Sequence, residues 1–168
     1  MENIVILYGS TTGNTEEVAT KIQGEFGAEI AKVFNVTDVN LDDLKDFSNI
    51  ILGTSTWGSG EMQDDFETFV EEFDNIDFSR KKVALFGLGD QDSHGDTFLN
   101  GLAELYNKLV EKNADVIGKT SCEGYEFEDS EAVIDGKFIG MAIDEDNQSD
   151  LTDERVKNWT VELKKQFL

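Results

Sequence analysis

The chain has 168 residues, and its 36 Asp and Glu against 14 Lys and Arg leave a formal charge of −22. Phosphate backbones and anionic membrane surfaces are bound through Lys and Arg, so this balance excludes nucleic acid and acidic lipid as partners and favours a basic protein face. The 39% of hydrophobic residues, with 12 Phe, supply a core despite the charge, and the length suits one compact domain over residues 1–168.

In chain order, a continuous apolar run at Ile4-Val5-Ile6-Leu7 opens the sequence. Helical spacing follows at Val18, Ile22 and Phe26, then a weaker strand near Ile30 to Phe34 and a short helix near Leu41 to Phe47. A second continuous run, Ile50-Ile51-Leu52, leads to a stripe at Phe66, Phe69, Val70 and Phe73. A third, Val83 to Phe86, leads to a stripe at Phe98, Leu102, Leu105 and Leu109. The last strand is broken into Val116-Ile117 and Phe138 to Ile143, and a final stripe runs through Val156, Trp159, Leu163 and Phe167. Continuous runs rather than alternating ones mark strands buried on both faces, and steps of three and four mark helices with one apolar side. This βα alternation predicts an α/β fold with a doubly wound, five-stranded parallel sheet whose last strand is split by an insertion. The insertion, Cys122 to Lys137, carries Tyr125 and Phe127 and ends in a turn at Ile134-Asp135-Gly136-Lys137.

Single Cys and His residues narrow the chemistry. Cys122 alone permits no internal disulfide and no cysteine-based metal site, which suits a reducing cytoplasm, and His94 alone excludes most zinc sites. No basic segment precedes the first apolar run and no window has the length of a membrane span, so neither export nor membrane insertion is expected.

In an open α/β sheet the ligand lies beyond the C-terminal ends of the strands, which directs attention to three loops. After the first strand, Gly9-Ser10-Thr11-Thr12-Gly13-Asn14-Thr15 places hydroxyls, an amide and two glycines before a helix N-terminus, the makings of a phosphate cradle. Both the G-x-x-x-x-G-K-[ST] and the G-x-G-x-x-G spacings are absent, and no Lys or Arg precedes Lys21. A phosphate monoester held by neutral donors fits better than a triphosphate or pyrophosphate. The second loop, Gly53 to Glu61, carries Trp57 among turn residues, a large face for stacking on a planar ligand, and the third runs from Gly87 to Asp96. A phosphoryl receiver would need an Asp directly after a central strand, and Leu52-Gly53-Thr54 and Leu85-Phe86-Gly87 supply none.

Taken together, these loops resemble those of flavodoxins of the long-chain type. Ser10 to Thr15 matches the family's [ST]-x-T-G-x-T, Thr54 to Glu61 its T-x-T-W-G-x-G-E, and Gly87 to Gln91 its G-x-G-D-Q; Asp144 to Arg155 resembles the segment leading into its last helix. The resemblance implies a low-potential one-electron carrier that holds FMN without a covalent bond, not an enzyme with its own substrate. By position, Ser10, Thr11, Thr12, Gly13, Asn14 and Thr15 are implied to hold the phosphate. Thr56, Trp57, Gly58, Ser59, Gly60, Leu88, Gly89 and Asp90 would meet the flavin ring, and Asp146 the ribityl side, with His94, Thr97 and Phe98 completing the set. Ser93-His94 stands where long-chain members usually carry Gly-Tyr, so the second stacking position is open, with His94 as its candidate. Gly58 would let the peptide after Trp57 turn over on one-electron reduction. The implied partners are redox proteins with basic docking faces, of the ferredoxin-NADP reductase, photosystem I, nitrogenase or pyruvate oxidoreductase type, met by a monomer. The alternative is an FMN-dependent NAD(P)H:quinone reductase on the same fold, against which the three loops' lack of Lys and Arg argues. Acidic residues around the site, Glu61 to Glu67, Asp90 to Asp96 and Asp144 to Asp146, would make an additional negative charge on the flavin costly.

Overall fold

The structure is a computed structural model, and it describes residues 3–57 and 59–167. Strands β1 (Ile4–Tyr8), β2 (Ala31–Asn35), β3 (Asn49–Trp57) and β5 (Lys82–Leu88) lie parallel in the order β2-β1-β3-β5. The fifth position of the sheet is shared: β6 (Asp115–Ile117) pairs with Lys82 to Ala84, and β10 (Met141–Ile143) pairs with Phe86 to Leu88. The doubly wound parallel sheet and its split last strand are therefore as the apolar runs predict.

Alternate side chains of each strand leave on opposite faces and build two cores. Ile4, Ile6, Ile51, Ala84 and Phe86 pack under α1 (Asn14–Phe26) and α4 (Thr152–Gln166), with Val18, Ile22, Val156 and Leu163. Val5, Leu7, Leu52, Val83 and Leu85 pack under α2 (Asp64–Val70) and α3 (Asn100–Glu111), with Phe66, Phe69, Leu102 and Leu105. Burying each of these large side chains contributes about 1.5–3 kcal/mol, which is how a chain of this charge holds together. Among the described residues, no helix is long and apolar enough to cross a membrane.

Four expectations need correction. Phe98 lies outside the helix it was grouped with: α3 starts at Asn100, and Leu99, with φ of 60°, reverses the chain so that Phe98 packs against Tyr125, Phe127 and Phe138. The stripe from Phe66 to Phe73 divides into α2 and a 3₁₀ turn over Glu71–Asn75. Trp57 ends β3 rather than standing in a loop, because β4 (Glu61–Met62) folds back antiparallel on Thr56 and Trp57. Finally, Phe138 to Ile143 is not one strand. β9 (Lys137–Phe138) belongs to a small antiparallel sheet with β7 (Thr120–Ser121) and β8 (Val133–Ile134), and only after Gly140 does the chain join β5 as β10. The β8–β9 turn has positive φ at Asp135 and Gly136, the geometry that suits a two-residue hairpin and the sequence Asp-Gly.

Candidate functional site

At the C-terminal ends of β1, β3, β5 and β10 the loops enclose a cleft of about 280 Å³. Its lining comes from Thr12, Asn14 and Thr15 on one loop, Ser55, Thr56 and Trp57 at the end of β3, and Leu88, Gly89, Asp90 and His94 after β5. Glu145 and Asp146 follow β10 and close it. This is the crevice where a parallel sheet changes winding direction, the expected place for a ligand.

The first loop ends at the N-terminus of α1, which Gly13 enters with φ of 93° and which no side chain caps. α2, by contrast, is capped by Gln63, whose Oε1 accepts from the Phe66 N–H at 3.0 Å. The first-turn N–H groups of α1 thus lack an internal acceptor beside Thr12, Asn14 and Thr15, an arrangement that suits an anion. Ser10 Oγ accepts from the Gly13 N–H at 2.9 Å and shapes the loop from within. Gln63 Nε2 donates to Thr11 Oγ1 at 3.3 Å and ties the loop to α2. A Cβ at Gly9 would stand 2.1 Å from Gln63 Oε1, so a larger residue there would push the Gln63 side chain out of this position.

Trp57 is 43% exposed, its indole N–H donating to Ser55 Oγ at 2.7 Å. A rim indole fixed by one hydrogen bond, with its face uncovered, offers a stacking surface for a flat ring.

The acidic wall is organised by Asp144, which is fully buried. Its carboxylate accepts from Gln91 N–H at 3.0 Å and Gln91 Nε2 at 2.8 Å, from Asp146 N–H at 3.2 Å, and from Asn147 N–H at 3.1 Å and Nδ2 at 2.9 Å. Asn147 Nδ2 also reaches Asp90 Oδ1 at 2.8 Å. Burial alone would raise the Asp90 carboxyl, but hydrogen bonds from Ser93, Asn147 and Asp92 outweigh it and hold the group below its ordinary range. Asp146 goes the other way: burial first, then the charges of Asp90, Asp144 and Glu145, raise it, with His94 opposing. Among the described residues, no Lys or Arg lines the cleft.

A flavodoxin family model matches residues 6–159. The chain belongs to the flavodoxin family. It is similar to the flavodoxin of a Nostoc species, 43% identical over 99% of this chain and 98% of that one, and to flavodoxin 1 of Azotobacter vinelandii, 42% identical over 100% and 99%. A Fusobacterium nucleatum flavodoxin crystallised bound to flavin mononucleotide covers each chain fully, with TM-score 0.92 and 36% identity.

Ten of the residues expected by resemblance to this flavodoxin family line the cleft: Thr12, Asn14, Thr15, Thr56, Trp57, Leu88, Gly89, Asp90, His94 and Asp146. Ser10, Thr11 and Gly13 belong to the same loop but are not among the residues that line the cleft. Ser59 and Gly60 form the turn after Trp57, with the Gly60 N–H donating to Trp57 O at 3.0 Å. Gly58 lies outside the described residues, so its proposed peptide turnover lies there too. Thr97 and Phe98 do not line the cleft; Phe98 is 1% exposed in the aromatic cluster, and Thr97 packs near Gly60 with its hydroxyl buried and without a hydrogen-bond partner among the described residues. Glu145 lines the cleft as one of the acidic residues expected around the site, and Ser55 lines it without having been expected. The two-residue period of a strand puts Ser55 on the face of Trp57, a signal open to sequence reading once β3 is known to run through Trp57.

Proposed function

We propose that this protein is a one-electron carrier that holds FMN non-covalently in the cleft. The observation that carries the reading is the pairing of an uncapped α1 N-terminus with an indole-faced, cation-free acidic wall at the C-terminal end of the sheet. The hydroxyl and amide donors fit the FMN phosphate, and Trp57 fits the flavin ring. When bound, FMN supplies the capacity to accept and release electrons singly.

The chain's own groups do the rest. Thr12, Asn14, Thr15 and the first-turn N–H groups of α1 bind and orient the phosphate end without a cation. Trp57 covers ring surface from water, and Ser55 keeps the indole in place. Asp90 at the ring, Asp146 on the ribityl side and Glu145 beside it put negative charge along the cleft, which makes further negative charge there costly and drives the lower reduction step to low potential. The finer reading is that Thr56, Leu88 and Gly89 hold the ring and His94 flanks it. It also includes no substrate turnover, basic-faced redox proteins as partners, and a monomer working in a reducing cytoplasm; the −22 charge supports such docking by steering.

The test is an anaerobic redox titration of the FMN-loaded protein followed by absorbance. Two separate one-electron steps with a low second potential are expected. Failure to take up FMN, or a single two-electron step with turnover of NAD(P)H and quinone, overturns the reading. Trp57→Ala is expected to lose about 2 kcal/mol of stacking, a roughly thirtyfold weaker FMN affinity measured by calorimetry with apoprotein; an unchanged affinity would place the ring elsewhere.

His94 carries a further prediction. It lines the cleft together with Asp90, Glu145 and Asp146, so His94→Phe, which removes the imidazole from the acidic wall, is expected to shift the lower potential in the same titration. An unchanged potential would remove His94 from the flavin's surroundings.

A further inference from the structure

A second cleft, of about 340 Å³, opens at the opposite pole, where β3 and β5 begin. By the rise of β5 it lies roughly 20 Å from the flavin cleft. Its apolar floor is Leu41, Leu44, Phe47 and Ile76. Its charged lining is Lys45, Arg80 and Lys81 against one carboxylate, Asp77. In a chain with 36 acids and 14 bases, a lining that is three to one cationic reverses the character of the whole surface.

The three cations are not equally committed. Lys45 is exposed and pairs with Asp42 at 2.8 Å. Lys81 is half-buried; its ammonium donates to Leu44 O at 3.0 Å and to Phe47 O, which leaves one N–H over. Burial lowers its pKa and outweighs the opposing pull of Asp77 and Asp46. Arg80 is exposed and makes no hydrogen bond or salt bridge among the described residues. Asp77 is already engaged by the N–H and hydroxyl of Ser79, at 2.9 and 2.7 Å. An ammonium with one N–H over and a guanidinium without a hydrogen bond or salt bridge among the described residues thus stand over an apolar floor, with the one carboxylate of the lining, Asp77, engaged by its own turn.

We propose that this cleft binds a small organic monocarboxylate with an apolar body, its carboxylate on Arg80 and Lys81 and its body on Leu41, Phe47 and Ile76. A guanidinium receives a carboxylate through two parallel N–H donors, and the floor contributes by burial. An inorganic dianion leaves the floor unused and meets Asp77.

Phenylacetate is the probe, titrated into the FMN-loaded, 15N-labelled protein and followed by amide shifts. Saturable shifts centred on Ser48, Ser79, Arg80 and Lys81 are expected, with binding at least about tenfold weaker for phenylacetamide and for Arg80→Gln, while the flavin spectrum stays unchanged. Lys81→Met, which keeps the apolar stem, should weaken it similarly if it remains folded. Equal binding of phenylacetamide shows a merely apolar pocket and overturns the proposal. So does phosphate competing at equal concentration, or shifts spread over the surface lysines without saturation.

Discussion

Asp144→Ala is expected to weaken FMN binding about a hundredfold and to loosen the flavin end before the rest of the molecule. The buried carboxylate accepts five N–H donors from Gln91, Asp146 and Asn147, and those residues belong to two of the loops that line the cleft. Hydrogen bonds to a charged group contribute about 1.5–3 kcal/mol each, and donors stranded by truncation cost a further 1–3 unless water reaches them. Asn147 stands near solvent and can recover partners in water, whereas Gln91 is 5% exposed and cannot easily do so. A net loss of about 3 kcal/mol corresponds to the hundredfold change. Asp144→Asn keeps the shape but turns one acceptor into a donor facing donors, so it should fall between wild type and Ala. The measurement is FMN titration of apoprotein beside amide exchange at Gln91, Asp146 and Asn147. Unchanged affinity together with unchanged exchange would mean that the network holds nothing up.

Gly140→Ala is expected to cost on the order of 3 kcal/mol of folding stability. A Cβ at this position would stand 2.1 Å from the backbone oxygen of Leu85 and 2.7 Å from its carbonyl carbon, and neither atom can swing away as a side chain end does. The next residue, Met141, pairs with Phe86, so relief requires β10 to move off β5. Gly24→Ala is the contrasting case: the position is exposed within α1 and nothing lies within 4 Å of its added Cβ. That substitution should stabilise by about 0.5–1 kcal/mol through helix propensity. Urea denaturation of both variants decides the matter, and a Gly140→Ala midpoint within error of wild type would show that the edge strand yields freely.

The parts of this fold that sequence exposed are those governed by local rules. Runs such as Ile4 to Leu7 and Val83 to Phe86 are buried on both faces, and burial of that kind writes itself into consecutive residues. Departures arose where a cross-strand or tertiary partner decided the outcome. Phe98 has helical spacing to Leu102, yet Tyr125, Phe127 and Phe138 claim its ring. Trp57 is flanked by turn-forming residues, yet pairing with Glu61 makes it strand. Phe138 to Ile143 reads as one apolar run, yet its two ends join different sheets. At the cleft, the loop motifs identified the polar and aromatic lining, whereas Ser55 needed the register of β3 to be known.

The sharing of one edge position by β6 and β10 also sets an order of assembly. β6 reaches β5 through a helix that follows it directly, while β10 must wait until the small antiparallel sheet has closed between Ile117 and Met141. Long-range closure is entropically delayed relative to local pairing. The half of the edge that carries Asp144 and its loop is therefore the late half, so the acidic wall of the cleft and α4, which follows it in the chain, are set after the first four strands have paired.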